Sequence, residues 1–216
     1  MIKLYGHRFS SYTWKALIAL YANGTPFEFC GIGEGNEAAD AFVAAAGPSG
    51  QFPVLADGAV TVFEATAIID YLDLHHPGIQ RFIPSDPADA VMIRMWDRVF
   101  DLHVMNVMQQ AVAQKLRQPD STVESARNLV REPLLRSYRW IENWLESYTQ
   151  RSAITLIECA AAPSLFYADW VIEIPENCPR LTAWRAHLLA LPAVAQCVDD
   201  ARPFRHYFPL GAPDRD

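Results

Sequence analysis

Strand-like and helix-like segments alternate in the first 78 residues of this 216-residue chain, and strand-like segments almost vanish after them. Short apolar runs such as IKLYG, at residues 2–6, are typical of buried strands. Between them, apolar residues recur three and four positions apart, which is the spacing of one helix face. The order is therefore β-α-β-α-β-β-α. The predicted strands are residues 2–6, 27–31, 53–58 and 60–64, and the predicted helices are residues 10–24, 36–47 and 64–78.

That order predicts a mixed four-stranded sheet with helices on both faces. The crossover through the first helix should be right-handed and leave the first two strands parallel. The closing hairpin adds an antiparallel pair. We therefore expect an α/β domain over residues 1–78, a proline-rich linker over residues 79–87 and an all-helical domain over residues 88–216.

The second half of the sequence contains residues that mark helix starts and breaks, in addition to its helical periodicity. Thr155 and Glu158 fit a capping box, in which the hydroxyl and the carboxylate satisfy backbone N–H groups at a helix start. Pro133 and Pro163 fall inside periodic segments and predict a kink or a restart. Pro192 predicts a break between the last two helices.

Composition excludes several classes of protein. The net charge is −7 and no Lys/Arg run is present, so nucleic-acid binding is not expected. The apolar runs are too short to span a bilayer, and the N-terminus lacks the apolar core of a signal peptide. Cytoplasmic location is therefore expected. The four cysteines are scattered without zinc-site spacing, so we expect free thiols and no metal.

Three stretches carry a resemblance to one family. GPSGQFPVLADG (47–58), TVFEATAIIDYL (61–72) and TLIECAAAPSLFYADW (155–170) resemble, in this order, motifs of the glutathione transferase family. The resemblance covers nearly the whole chain. It implies a thioredoxin-like N-terminal domain that binds glutathione, a helical C-terminal domain and a homodimer.

The resemblance assigns a glutathione site in the N-terminal domain residue by residue. It implies a cis Phe52–Pro53 bond, which proline tolerates at about 0.5–1 kcal/mol, and a Phe52 backbone that pairs with glutathione like an added strand. Glu64 pairs with the γ-glutamyl amine, and the start of the third helix binds its carboxylate. Gln51 reaches the glycyl end. Ala65 stands where the family has serine, so one hydroxyl is missing.

The catalytic step requires a thiolate, yet a free thiol has a pKa of about 8.5. Ser10 and Ser11 precede the first helix, where a hydroxyl donor and the helix N-terminus both favour a thiolate. FSSYTWKALIAL resembles the stretch of serine-type transferases, in which the first serine serves the glutathione thiol. Ser10 is thus the first candidate and Ser11 the second, although both also fit simple N-caps. No cysteine occupies this helix start, which argues against glutaredoxin activity.

The second substrate is expected between the domains, against the first long helix of the helical domain. Methionine and aromatic side chains suit an apolar electrophile there, although residues at such spacing also fit plain core. Arg94, Asp97 and Asp101 are expected at surface or interface positions of that helix. The predicted pocket residues are Phe9, Tyr12, His103, Met105, Met108 and Tyr167.

The resemblance therefore implies a transferase that conjugates glutathione, its co-substrate, to a small hydrophobic electrophile. Two alternatives remain open. One is another glutathione-dependent reaction, such as peroxide reduction, dehalogenation or isomerisation, although Tyr12 replaces the cysteine of zeta-class isomerases. The other is a non-catalytic binding module, which the missing hydroxyl at Ala65 favours.

Overall fold

The computed structural model describes residues 1–33, 35–149 and 153–216. Its first part contains the seven elements that the sequence predicts, in the predicted order. The strands are β1 (Ile2–Gly6), β2 (Phe27–Gly31), β3 (Val54–Asp57) and β4 (Val60–Phe63), and the helices are α1 (Ser11–Ala22), α2 (Glu37–Ala46) and α3 (Ala65–His75).

The four strands form one mixed sheet in the order β2-β1-β3-β4. β1 runs parallel to β2, and β3 is antiparallel to both β1 and β4, as predicted. Neighbouring residues of a strand point to opposite faces. Leu4 is buried in the core on the face of α1, whereas Tyr5 stacks on Phe42 of α2 with ring centroids 4.3 Å apart. Helices therefore cover both faces, and the predicted fold class is confirmed.

Helix α1 lies between α3 on one side and two helices of the second domain, α7 (Leu156–Val171) and α9 (Pro192–Ala201), on the other. Residues 13–20 are all buried, although its periodicity predicts only one apolar stripe. Trp14 couples the domains: its Nε1 donates to the Arg8 carbonyl at 2.7 Å, and its ring lies 4.9 Å from that of Phe166. The site elements that α1 carries are thus held from both sides.

The second part contains helices and no strand among its described residues. The prolines behave differently: Pro133 lies within one continuous helix, whereas Pro192 begins a new one. The elements are α4 (Pro87–Val99), a π-helical stretch (Phe100–Met105), α5 (Asn106–Arg117), α6 (Val123–Leu145), α7 (Leu156–Val171), α8 (Pro179–Ala190), α9 (Pro192–Ala201) and a 3₁₀ segment (Arg202–Tyr207).

Helix α7 is the core of the second domain, since every one of its residues is buried. The predicted capping box is confirmed at its start. Glu158 Oε2 accepts from the Thr155 N–H at 2.7 Å, and Thr155 Oγ1 accepts from the Ile157 N–H at 3.2 Å. These bonds satisfy backbone groups that α7 would otherwise bury unpaired.

The segment between α3 and α4 is anchored to both domains. Phe82 is almost fully buried; its N–H donates to Asp73 at 3.0 Å, and its carbonyl accepts from the Leu156 N–H at 3.0 Å. These bonds fix the second domain against the first and shape the cleft between them.

Candidate functional site

A cleft separates the two domains and has a polar half and an apolar half. The polar half is a cavity of about 530 Å³ that adjoins the loop before β3, the start of α3 and the end of α4. The apolar half is a cavity of about 270 Å³ between the start of α1, helix α5 and the C-terminal segment. Ser10, Phe52 and Gln109 line both halves. Any ligand that reaches from one half into the other must pass these three residues.

The turn into β3 lies in the polar half with its backbone exposed to the cleft. The Phe52–Pro53 peptide bond is cis, as the resemblance implies. Pro53 is buried, and the ladder between β3 and β1 begins only at Val54. Within the described ranges, the Phe52 N–H and carbonyl make no hydrogen bond. This edge therefore offers a donor and an acceptor to an extended peptide.

The start of α3 forms the opposite wall of the polar half. Glu64 has a φ of 71°, the left-handed region that non-glycine residues rarely adopt. Its exposed carboxylate makes no hydrogen bond to the described part of the chain. Ala65 is buried directly after it, and free N–H groups of the first turn of α3 adjoin the same cavity. An ammonium group suits Glu64, and a carboxylate suits the helix start.

Gln51 completes the set predicted for this half. Its side chain is exposed and lines the cavity beside Phe52 and Pro53. The structure therefore brings Gln51, Phe52, Pro53, Glu64 and Ala65 into one cavity. The assignment of each to one end of glutathione remains a prediction.

The two serines occupy different positions at the start of α1. Ser10 is the N-cap, and its Oγ accepts from the Thr13 N–H at 3.3 Å. Its own hydroxyl proton is available for another hydrogen-bond acceptor. Ser11 is buried and lines only the apolar half, where Gln109 Nε2 donates to its Oγ at 3.4 Å. Ser10 is thus the serine that combines a free donor, a helix N-terminus and contact with both halves.

Tyr12 lines the polar half among several charges. Burial, followed by the negative charge of Asp101, raises its pKa to about 12, and Glu64 acts in the same direction while Arg98 opposes it. The phenol is therefore protonated at neutral pH. It can donate a hydrogen bond into the cavity but cannot act as a base there.

A buried charge cluster lies behind the polar half. Lys15 of α1 is fully buried, and its Nζ contacts Asp97 Oδ1 at 2.6 Å, Asp101 Oδ2 at 2.8 Å and Thr66 Oγ1 at 2.9 Å. Arg98 pairs with the same two aspartates from the cavity side. Asp97 and Asp101 are buried, so the expectation of surface positions is wrong for them. Lys15 is buried beside them and balances their charge. Arg94 does lie at the surface, where it pairs with Asp70.

The apolar half contains three of the predicted pocket residues, namely Phe9, Met108 and Tyr167. The Tyr167 hydroxyl donates to the Phe9 carbonyl at 2.8 Å, and the two rings meet edge to face 5.4 Å apart. This pair fixes the wall next to Ser10. The other lining residues are His7, Val112, Leu116, Tyr207, Phe208 and Pro209.

Two predicted pocket residues lie outside the cleft. Met105 is fully buried in the core of the second domain. His103 is exposed, and its carbonyl accepts from Ser137 Oγ at 2.8 Å on the α6 side. The prediction extended one α-helical period through this region, but residues 100–105 form a π-helix. The wider turn interrupts the α-helical period on which the prediction rested. Met108 lines the cleft and Met105 does not.

Sequence reasoning missed several residues of the cleft. Gln109 lies one position after Met108 and lines both halves. Arg98 adjoins the polar half from α4, and the residues 207–209 close the apolar half from the end of the chain. For the wall formed by α5, the sequence signal was the spacing of Met108 and Val112 on one helix face. For the wall formed by the C-terminal segment, the sequence contains no local pattern that predicts its position against the cleft.

Among residues 1–33, 35–149 and 153–216, no group of three or more His, Cys, Asp or Glu side chains is arranged to hold a metal ion. In the same ranges, no helix combines the length and the apolar character that crossing a membrane requires.

The comparisons with known proteins agree with this architecture. The model of the glutathione S-transferase N-terminal domain matches residues 4–80. A protein from Vibrio cholerae named "Probable maleylacetoacetate isomerase" is 28% identical, over 93% of this chain and 96% of that protein. A glutathione S-transferase from Silene vulgaris is 27% identical, over 89% of this chain and 94% of its own length. Residues 4–80 thus match the glutathione S-transferase N-terminal domain, and nearly the whole chain is similar to members of that family.

Solved structures extend the likeness in fold over both domains. The crystal structure of glutathione transferase F7 from Populus trichocarpa superposes with a TM-score of 0.79. The two sequences are 22% identical, and the match covers 93% of this chain and 99% of the Populus chain. At that identity the likeness shows the fold alone.

Proposed function

We propose that this protein is a glutathione transferase that binds glutathione in the polar half of the cleft and conjugates it to a hydrophobic electrophile in the apolar half. The observation that supports this most directly is the position of Ser10. It lines both halves, sits at the N-terminus of α1 and keeps its hydroxyl proton available while its oxygen caps the helix. A sulfur atom placed there touches both compartments.

Glutathione fits the polar half in one orientation. The cysteinyl residue pairs with the free backbone of Phe52, which places its sulfur towards Ser10. The γ-glutamyl ammonium faces Glu64, whose carboxylate has no hydrogen-bond partner in the described ranges. The glycyl end lies by Gln51. Each group thus meets a residue of complementary chemistry that lines the same cavity.

The proposed reaction is a nucleophilic substitution in which the thiolate of glutathione is the nucleophile. A hydrogen bond from Ser10 and the positive end of α1 favour the ionised sulfur. The thiolate donates its electron pair to an electrophilic carbon, forms the C–S bond, and the leaving group departs with the electrons of the bond that breaks. None of the four cysteines lines the described cleft, so the nucleophile comes from glutathione.

The walls of the apolar half favour a neutral, apolar second substrate. They are built from aromatic and aliphatic side chains, and no Lys or Arg is among the described residues that line this half. The isomerase named for the Vibrio relative acts on maleylacetoacetate, a dicarboxylate. A dicarboxylate finds no Lys or Arg among the described residues of this half, so conjugation is proposed ahead of isomerisation.

Two further features belong to the proposal. A homodimer is supported by exposed large apolar side chains, among them Met92 and Met95 of α4 and Phe63 of β4. A cytoplasmic location is supported by four cysteines that form no disulfide, which suits a reducing compartment.

The test compares two reactions in the presence of glutathione. We expect the protein to conjugate a neutral activated chloroarene, and to isomerise maleylacetoacetate slowly or not at all. Ser10→Ala should lower kcat/KM for conjugation by about tenfold to a hundredfold, the loss of one hydrogen bond to a charged group, while Ser11→Ala should change it little. Faster isomerisation than conjugation, or equal loss in both variants, would contradict the proposal.

A further inference from the structure

The guanidinium of Arg98 is held along one edge and open along the other. Nη2 donates to Thr66 Oγ1 and to Asp97 Oδ2, each at 2.7 Å, and Nε donates to Asp97 Oδ2 at 3.0 Å. Nη2 also contacts Asp101. Nη1 makes no hydrogen bond to any described residue, which leaves two N–H donors in a fixed direction.

The open edge belongs to a residue of the polar half. Arg98 lines the cavity together with Glu64 and Ala65, and its side chain is 49% exposed although Asp97 beside it is buried. The hydrogen bond from Nη2 to Thr66, in the first turn of α3, places the guanidinium at the end of the cavity where α3 begins. Glu64, directly before α3, lines the same cavity.

Lys15 makes this arrangement suitable for an anion. The buried cluster holds two cations, Lys15 and Arg98, and two carboxylates, Asp97 and Asp101. Without Lys15, two carboxylates would face one guanidinium and repel an incoming anion. With it, the cluster is neutral and the outer N–H groups can bind a carboxylate without net repulsion.

We propose that Arg98 binds the α-carboxylate of the γ-glutamyl residue of glutathione. It thereby supplies the hydrogen bond that Ala65, without a hydroxyl, cannot supply. The pairing matches the amino-acid end of the peptide, with its ammonium on Glu64 and its carboxylate on Arg98. This inference rests on the proposed glutathione site and adds a binding residue to it.

The test measures dissociation constants by calorimetry for two ligands. One is glutathione, and the other is 4-aminobutanoyl-Cys-Gly, in which hydrogen replaces only the α-carboxylate. The variants are Arg98→Gln and Arg98→Lys. Arg98→Lys preserves the charge balance, but its single ammonium is occupied by the two aspartates. The matched control is Arg94→Gln, one turn earlier on α4, where the side chain is 50% exposed and paired with Asp70.

Wild type and Arg94→Gln should bind glutathione about tenfold or more tightly than the analogue. In both Arg98 variants this preference should fall by about tenfold, because only the N–H groups at the start of α3 then bind the carboxylate, and the analogue should bind as it does to wild type. Equal weakening of both ligands in the Arg98 variants, or an undiminished preference in Arg98→Lys, overturns the inference while the glutathione site stands. Absence of glutathione binding in wild type overturns the proposed function itself.

Discussion

Replacement of Lys15 by methionine tests whether the buried charge cluster stabilises the fold. Methionine has similar length and apolar character but no charge. Lys15 is fully buried, and its ammonium bridges Asp97, Asp101 and Thr66 at 2.6–2.9 Å. The variant leaves two carboxylates, with side chains 1% and 8% exposed, opposite Arg98 alone.

Removal of one partner from a buried ion pair costs about 3–5 kcal/mol, because the remaining charge stays buried without compensation. For a chain of this size, about 1 kcal/mol shifts Tm by roughly 2–4 °C. We therefore expect Lys15→Met to lower Tm by about 10 °C. Thermal and denaturant unfolding of the two proteins measure this directly.

The loss should depend on pH. Burial raises the pKa of Asp101 above its ordinary value, and Lys15 opposes that shift. Without Lys15 the pKa rises further. An aspartate with a higher pKa in the folded than in the unfolded state costs stability when ionised, and the cost disappears as pH falls through the folded pKa. The loss in Lys15→Met should thus be smaller near about pH 5 than near about pH 7.5.

Two further variants test whether the unbalanced buried charge causes the loss of stability. Lys15→Met combined with Asp101→Asn removes one cation and one anion, so it should recover part of the lost stability. Lys3→Met removes an exposed lysine paired with Glu28 and should leave Tm unchanged. A loss below about 1 kcal/mol in Lys15→Met, or a loss independent of pH, would refute this reasoning.

Three further substitutions address the site and the domain contact. Glu64→Gln should weaken glutathione binding about tenfold by calorimetry without lowering Tm, because the carboxylate has no partner in the described chain. Gly78→Ala should lower the free energy of unfolding by about 1–3 kcal/mol, since the new Cβ would lie 2.3 Å from Asn23 Cγ. Tyr21→Phe should cost about 1.5–3 kcal/mol, because the hydroxyl donates at 2.7 Å to Asp200 of the second domain; denaturant unfolding measures both losses.

Matched variants separate these effects from general damage. Glu37→Gln changes an exposed glutamate of α2 and should leave glutathione binding intact. Gly31→Ala places its Cβ no closer than 3.9 Å to any atom and should cost far less than Gly78→Ala. Destabilisation by Glu64→Gln, or equal losses in the two glycine variants, would show that the stated contacts are not the cause.

Local signals predicted most of the fold. The strands, the parallel and antiparallel pairings, the capping box of Thr155 and Glu158 and the break at Pro192 follow from residues close together in the chain. The family resemblance implied the cis bond before Pro53. Such features depend on the backbone preferences of a few neighbouring residues, so they can be predicted from one sequence.

Long-range contacts explain what the sequence did not reveal. Lys15 lies in a helix where a lysine is expected to be exposed, and it is buried only because Asp97 and Asp101, about 80 positions later, meet it there. The π-helix at residues 100–105 interrupts the α-helical period, and Met105 is buried in the core. No local sequence motif predicts this π-helix. The return of Phe208 onto the cleft depends on the packing of the whole second domain.

Ser10 is proposed to stabilise the thiolate of bound glutathione. The most direct measurement is the ultraviolet thiolate absorbance of the glutathione complex as a function of pH, for wild type, Ser10→Ala and Ser11→Ala. In wild type the bound thiol should titrate below the free value of about 8.5. Ser10→Ala should return its pKa towards that value, and Ser11→Ala should not. A bound thiol that titrates like free glutathione, or a lowered pKa that survives in Ser10→Ala, would contradict the account.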